Sequence, residues 1–213
     1  MMPIRIVIMA KAPTAGFAKT RLIPALGAEG AAQLAKQMLQ HTVQTAIGAQ
    51  LGVVEICAAP DPTTAVWRNL NLPSAVAWRA QGDGDLGERM ASVTERVILG
   101  GEAILLIGTD CPAIDARTLS SAVTALQQHD ACLLPTFDGG YALLGLTKFN
   151  ATLFDNMPWS TSVVAKETLL RTRQLGWKTH VLPTVHDIDE PTDLQYLPKE
   201  WQVSELNPLS ATT

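Results

Sequence analysis

No stretch of this 213-residue sequence comes near the roughly 18 consecutive apolar residues that a membrane-spanning helix needs, so no membrane partner is expected. No basic lead, apolar segment and small-residue cleavage site stands at its start, where Ile4–Met9 reads instead as a strand. Cysteine is scarce and unpatterned. Cys57, Cys111 and Cys132 are widely spaced, with no CxxC pair and no His/Cys cluster to suggest zinc. They read as reduced core thiols of a cytoplasmic protein. There is no G-x-S-x-G elbow, so a hydrolase triad is unsupported. Cys111 has no histidine paired with it in sequence and makes a poor nucleophile. Positive charge is not in excess: 16 Lys and Arg against 20 Asp and Glu give a formal net charge of −4, which argues against a nucleic-acid or membrane-surface partner. No internal repeat or low-complexity segment is present.

What the chain does have is apolar material, 47% of its residues, enough for one core. Its length fits a single domain, placed at residues 1–198 with a tail at 199–213. Short apolar runs alternate with amphipathic stretches. Strands are expected at Arg5–Met9, Val53–Ala58, Ala75–Ala80, Ala103–Ile107 and Ala131–Pro135. Helices are expected at Glu29–Ile47, Asp61–Leu70 and Asp85–Leu99, and after an Asp115 cap; Asp85 and Glu88 form a capping-box pattern. Beyond Asp138-Gly139-Gly140, a strong turn signal, Tyr141–Leu146 reads as an antiparallel addition. A helix near Thr161–Leu175, a strand at Trp177–Leu182 and a strand end turning into a short helix at His186–Leu197 complete the pattern. The fold class is therefore α/β, with a mostly parallel sheet and an antiparallel insertion.

The chain is organised around Ala103–Pro112, AILLIGTDCP. An apolar run without alternation suits a strand covered on both faces. Asp110 follows at its carboxyl end, where open α/β sheets bind ligands. A carboxylate there suits a hard cation such as Mg²⁺ or Mn²⁺. A capping role is the plainer alternative, but Asp115 is better placed for it.

The first 28 residues hold Arg5, Lys11, Lys19 and Arg21 and no acid. Three of these cations lie in the loop after the first strand, with Gly16 allowing close backbone approach, an arrangement suited to a chain of phosphates. Two other phosphate motifs fail. Lys19-Thr20 lacks both P-loop glycines. Gly82-Asp83-Gly84-Asp85-Leu86-Gly87 matches G-x-G-x-x-G but puts two acids where a pyrophosphate should lie. Gln81 and Gly82 read better as a segment facing a nucleobase.

Asp187 and Asp189 alternate around Ile188 and would point the same way on a strand end; with Pro191 in the first turn, Asp189 or Glu190 could instead cap the following helix. Asp110 with Asp187 and Asp189, joined by phosphate oxygens, makes a credible metal set. Gly139, Gly140 and Tyr141 form either a plain hairpin turn or an acceptor pocket. Ser160, between Trp159 and Thr161, is either a helix cap or part of an anion site.

Lys11-x-Pro13-x-x-Gly16-x-x-Lys19-Thr20-Arg21-Leu22, Gln81-Gly82…Leu86-Gly87-x-Arg89-Met90, Gly108-Thr109-Asp110-Cys111-Pro112, Asp138-Gly139-Gly140-Tyr141 and Asp187-Ile188-Asp189-x-Pro191-x-Asp193-Leu194 occur in that order. This set resembles the bacterial glycosyltransferase-like family of the nucleotide-diphospho-sugar transferase superfamily, of the type associated with arsenosugar biosynthesis. It is similar, more distantly, to 2-phospholactate guanylyltransferase and molybdenum-cofactor guanylyltransferase. The resemblance spans about Ile4 to Leu197 and implies a glycosyltransferase-A fold with a Rossmann-like sheet. It further implies phosphate contacts at Lys11, Gly16, Lys19 and Arg21, a metal on Asp110, and second ligands at Asp187 and Asp189. The loop carries fewer glycines than nucleotidyltransferase loops usually do, and Pro112 stands where sugar transferases often have the second Asp of Asp-x-Asp.

Three functions are open on this reading. The first is metal-dependent nucleotidyl transfer from a nucleoside triphosphate to a small phosphorylated acceptor, with Lys19, Arg21 and Asp110 as catalytic residues. The second is glycosyl transfer from a nucleotide-sugar. The third is a non-catalytic nucleotide-binding domain.

Overall fold

The computed structural model describes residues 2–202, so most of the expected tail lies outside the described residues. A seven-stranded sheet runs through the described chain: β1 (Ile4–Lys11), β2 (Val53–Ala59), β3 (Ala77–Ala80), β4 (Ala103–Ile107), β5 (Ala131–Pro135), β6 (Tyr141–Leu146) and β7 (Thr179–Val181). Its spatial order is β3-β2-β1-β4-β6-β5-β7. All pairings are parallel except those of β6, which runs antiparallel to both β4 and β5. The structure thus has the expected α/β architecture, a mostly parallel sheet with one antiparallel insertion.

The helices cover both faces. On one side, α1 (Ile23–Gly48) and α3 (Ala116–Ala125) bring Leu39, Val43, Ala46, Leu119 and Ala122 onto the sheet. On the other, α2 (Leu86–Leu99) and α4 (Val164–Gln174) contribute Met90, Val93, Val97 and Ala165. Every residue of β4 is buried, as its uninterrupted apolar run requires. The chain breaks helical geometry at Gly27 (φ 71°), so the long segment of α1 begins close to the expected Glu29. Asp85 and Glu88 form the expected capping box, and Asp115 accepts from Thr118 N at 2.7 Å. All three cysteines are buried and free. Among the described residues, no helix is long and apolar enough to cross a membrane.

Some expected elements differ. Asp61–Leu70 is not a helix but a single 3-10 turn at Ala65–Trp67. The Asp61 carboxylate binds Thr63 N at 2.8 Å, and the Trp67 indole donates to Pro60 O at 3.0 Å while its ring packs on Trp78. Local side-chain bonds there replace the helical ladder. α4 starts at Val164, later than expected, and its N-cap residue Val163 makes no side-chain capping bond. The 186–190 stretch is not a strand; an isolated bridge from Thr136 to Val185 is the last ladder contact before it, and Pro191–Tyr196 forms 3-10 turns. At its far end, Lys199–Gln202 forms a last short helix, α5.

Arg5 stands at the opposite end of β1 from the basic loop. It binds Glu102 Oε2 at 2.6 Å and Glu55 Oε2 at 3.1 Å, and Glu55, 1% exposed, also pairs with Arg96. That network belongs to the fold's stability, since a buried carboxylate needs its charge partners.

Candidate active site

The strand order reverses direction between β1 and β4. The chain leaves β1 towards β2 on one side and β4 towards the other strands on the opposite side, so the loops after these neighbours diverge and leave a crevice. The basic loop leaves the end of β1 and Gly108-Thr109-Asp110 leaves the end of β4. β6 is antiparallel, so its first residue, Tyr141, sits at the same edge. A cavity of about 500 Å³ opens there, and its lining includes Lys11, Lys19, Arg21, Gln81, Asp110, Gly140, Tyr141, Ser160 and Asp189. Nine expected site residues from six sequence segments therefore share one crevice. Gly16, Gly82, Gly139 and Asp187 are not in its lining.

The electrostatic centre is Lys19. Its Nζ lies 2.8 Å from Asp110 Oδ1 and 3.1 Å from Asp189 Oδ1, and it donates to the Ile188 carbonyl at 2.6 Å. Its side chain is only 7% exposed. Burial alone would lower its pKa, but the charges of Asp110 and Asp189 outweigh burial and hold it above its ordinary value. Arg21 Nη1 reaches Asp189 Oδ2 at 2.8 Å. The 186–190 segment is fixed by a main-chain bond from Ile188 N to Asp110 O at 2.8 Å and by the fully buried Ile188 side chain, which packs with Leu22, Leu34 and Met38. Distant parts of the chain are thereby held against the loop after β4.

Asp187 and Asp189 do not share one set of contacts, as a regular strand end would have arranged. Asp189 meets the basic loop, while burial and the nearby Asp138 push the Asp187 carboxyl up to about 6. Gln81 does not present its amide group to a ligand. Its Nε2 donates to Ala10 O at 3.1 Å and Cys57 O at 2.9 Å, and its Oε1 accepts from Arg89 at 3.4 Å, so it ties the ends of β1 and β2 together. Gly139 (φ 92°) packs against the Ser162 backbone and accepts from Ala165 N at 2.9 Å. It seats α4 rather than forming a pocket wall. Ser160 has φ 61° and is no helix cap, though it does line the crevice. The Tyr141 phenol is buried and hydrogen-bonded to Thr168, and its ring meets that of Trp159 in a T-shaped arrangement. Cys111 is buried, donates to His186 O and has its thiol pushed up to about 11, which fits a core thiol and not a nucleophile.

Lining residues not expected as site residues include Phe17 and Asp138; Trp159, which flanks Ser160 in the expected anion site, lines the crevice as well. Phe17 is 83% exposed; the signal that could have marked it is an aromatic residue in the middle of the basic loop. Asp138 accepts from Thr136 Oγ1 and from Gly140 N, which shapes the turn before β6.

The donor chemistry can be tested against a divalent cation. Asp110 and Asp189 offer carboxylate oxygens of the kind Mg²⁺ and Mn²⁺ take, and Asp187 and Asp138 are near one another. Among the described residues, however, no group of three or more His, Cys, Asp and Glu forms a ready metal-holding cluster. The protein oxygens fit such an ion only as a partial set, completed by a ligand's own oxygens.

Solved structures share this architecture. A candidate nucleotide-diphospho-sugar transferase from Desulfovibrio desulfuricans G20 is 28% identical, with a TM-score of 0.86 over 96% of this chain and 90% of that one. The 4-diphosphocytidyl-2C-methyl-D-erythritol synthase of Anaerococcus prevotii DSM 20548 is 11% identical, with a TM-score of 0.64 over 94% and 99%. Rv0371c of Mycobacterium tuberculosis H37Rv, in complex with manganese, is 17% identical, with a TM-score of 0.51 over 92% and 98%. No curated protein matches the sequence. A family model does match, over residues 42–161, more than half the chain and a span that takes in Asp110 and the Asp138–Tyr141 turn. The chain belongs to that family, described as "Uncharacterized protein conserved in bacteria (DUF2064)".

Proposed function

We propose that the chain is a nucleotide-utilising transferase that moves a nucleotidyl group from a nucleoside triphosphate to a small phosphorylated acceptor. The observation that carries this reading is the convergence of Lys11, Lys19 and Arg21 with Asp110 and Asp189 around one crevice at the switch point of the sheet. Cations at the end of β1 and in the loop after it suit a polyphosphate; carboxylates at the facing strand end suit the charge-balancing ion that accompanies it. The fold shared with the 4-diphosphocytidyl-2C-methyl-D-erythritol synthase of Anaerococcus prevotii DSM 20548 is consistent with it.

In this reaction Lys11, Lys19 and Arg21 hold the phosphate chain. The acceptor's phosphate oxygen approaches the α-phosphorus from the side of Gly140 and Ser160. A new bond forms between that oxygen and the α-phosphorus. The bond from the α-phosphorus to the bridging oxygen breaks, and pyrophosphate leaves with the electron pair. No protein nucleophile is required, because positioning and charge neutralisation supply the rate. Mg²⁺ or Mn²⁺ held by Asp110 with Asp187 or Asp189 would supply Lewis-acid charge neutralisation, in keeping with the manganese of the Mycobacterium tuberculosis neighbour.

A second reading is glycosyl transfer from a nucleotide-sugar, favoured by the description of the 28% identical Desulfovibrio desulfuricans protein. Incubation with labelled triphosphates and with nucleotide-sugars separates the two. Pyrophosphate release supports nucleotidyl transfer, and release of a nucleoside diphosphate supports glycosyl transfer. Under the first reading Lys19→Ala or Asp110→Ala slows turnover at least about 100-fold, on the order of 2.7 kcal/mol of transition-state stabilisation. Near-normal turnover by either variant refutes the assignment.

A further inference from the structure

An ammonium group has three N–H donors. Lys19 spends them on three oxygens: Asp110 Oδ1 at 2.8 Å, Asp189 Oδ1 at 3.1 Å and the Ile188 carbonyl at 2.6 Å. No donor is left for a phosphate. The same ammonium stands between the two carboxylates that would serve a divalent ion. Its backbone is left-handed (φ 48°), an uncommon conformation for a residue other than glycine. Arg21 contrasts with it: its side chain is 60% exposed and touches the outer oxygen of Asp189. Lys19 and Arg21 sit two residues apart on one loop yet do different work, Lys19 buried between acids and Arg21 open to solvent.

We infer that Lys19 is a place-holding cation. In the ligand-free protein it neutralises Asp110 and Asp189 and keeps a divalent ion off them; an arriving polyphosphate draws its ammonium away and frees the carboxylates. This rests on the reading of the crevice as a polyphosphate and cation site. A divalent ion entering alone meets a buried positive charge within a few ångströms, a repulsion weakly screened at 7% exposure. A polyphosphate brings new acceptors for the Lys19 donors, so the ammonium exchanges carboxylate partners for phosphate ones. Arg21, already exposed, makes the first encounter. Cation and nucleotide binding are therefore ordered: the ion enters with or after the phosphates, and never tightly before them.

The test is Mn²⁺ binding to the nucleotide-free, full-length protein, read from the electron paramagnetic resonance signal of free Mn²⁺. Lys19→Gln removes the charge and keeps a donor for the Ile188 carbonyl. It is expected to bind Mn²⁺ at least about tenfold more tightly than the wild type. Adding Asp110→Asn to Lys19→Gln is expected to abolish the gain, which locates it. Lys19→Met serves if Lys19→Gln melts below the assay temperature, and must show the same gain. Equal or weaker Mn²⁺ binding by the neutral variants overturns the inference, as does a gain that survives Asp110→Asn. The reaction is scored apart from this. An active wild type releasing pyrophosphate alongside unchanged Mn²⁺ affinities refutes the place-holder alone. A clear gain in a protein that turns over no nucleotide keeps the place-holder and refutes the reaction.

Discussion

Asp189→Asn isolates the ion pairs that hold the basic loop to the far end of the chain. Asp189 reaches Lys19 at 3.1 Å and Arg21 at 2.8 Å. The Arg21 pair is well exposed and contributes about 0.5 kcal/mol, lost at high salt. The Lys19 pair is shielded on the lysine side, but Lys19 keeps Asp110 at 2.8 Å and the Ile188 carbonyl, so no charge is left stranded. Its loss therefore falls well short of breaking a fully buried pair and amounts to about 1 kcal/mol. The total, about 1.5 kcal/mol, corresponds to a melting temperature lower by about 3–6 °C for a chain of this size. Urea unfolding measures it directly: the midpoint should fall with the slope unchanged. In a double-mutant cycle with Lys19→Gln, a coupling near 1 kcal/mol should persist at 1 M salt, while the coupling to Arg21 should vanish there. A loss under about 0.3 kcal/mol, or a Lys19 coupling that disappears with salt, would refute the claim that Asp189 is part of a shielded cluster.

Two further perturbations test the scaffold and the acids around the site. Gly145 lies in β6 where an added Cβ would overlap Cys132 Sγ and come within 2.8 Å of Leu105 Cδ2, so Gly145→Ala should destabilise by about 2 kcal/mol, visible as a lower urea midpoint; an unchanged midpoint contradicts the packing of that layer. Asp187 tests the pH sign: burial and Asp138 raise its carboxyl to about 6, so its contribution is full below the unfolded value and is lost as pH rises through the folded one. Asp187→Asn should accordingly stabilise the protein by about 1 kcal/mol at pH 8, after discounting for its partial exposure, and change little at pH 4. Paired urea titrations at the two pH values check this, and a variant less stable than the wild type at pH 8 would contradict it.

The strongest sequence signals were those whose physics is local. The unbroken apolar run of β4 requires cover on both faces, and β4 is buried throughout. Asp85 with Glu88, and Asp115 with Thr118, cap helices through neighbours three residues away. The placement of Asp110 at a strand's carboxyl end followed from strand and turn chemistry alone, and the fold then fixed what lies beside it. What the sequence could not express is pairing over distance. Lys19 and Asp189 stand 170 positions apart, and nothing local says that Lys19 binds acids instead of waiting for phosphates. The amide of Gln81 is taken by two strand-end carbonyls, a fate set by the adjacency of β1 and β2. Asp61–Leu70 failed as a helix because Trp67 is anchored by tertiary contacts that outweigh a short segment's weak propensity. Gly139 carried a turn signal that was correct, but its close packing on Ser162 depends on where α4 begins.

The central claim is that a polyphosphate lies between the basic loop and the acids of the crevice. A crystal structure of the protein with a non-hydrolysable nucleoside triphosphate and Mg²⁺ tests it most directly. The account predicts phosphate oxygens within hydrogen-bond distance of Lys19 Nζ or the Arg21 guanidinium, in the cavity bounded by Asp110 and Asp189. A triphosphate bound instead in the second cavity, of about 670 Å³, beside Met2, Gln127, His129 and Lys178, with Lys19 still locked on its two carboxylates, would contradict it.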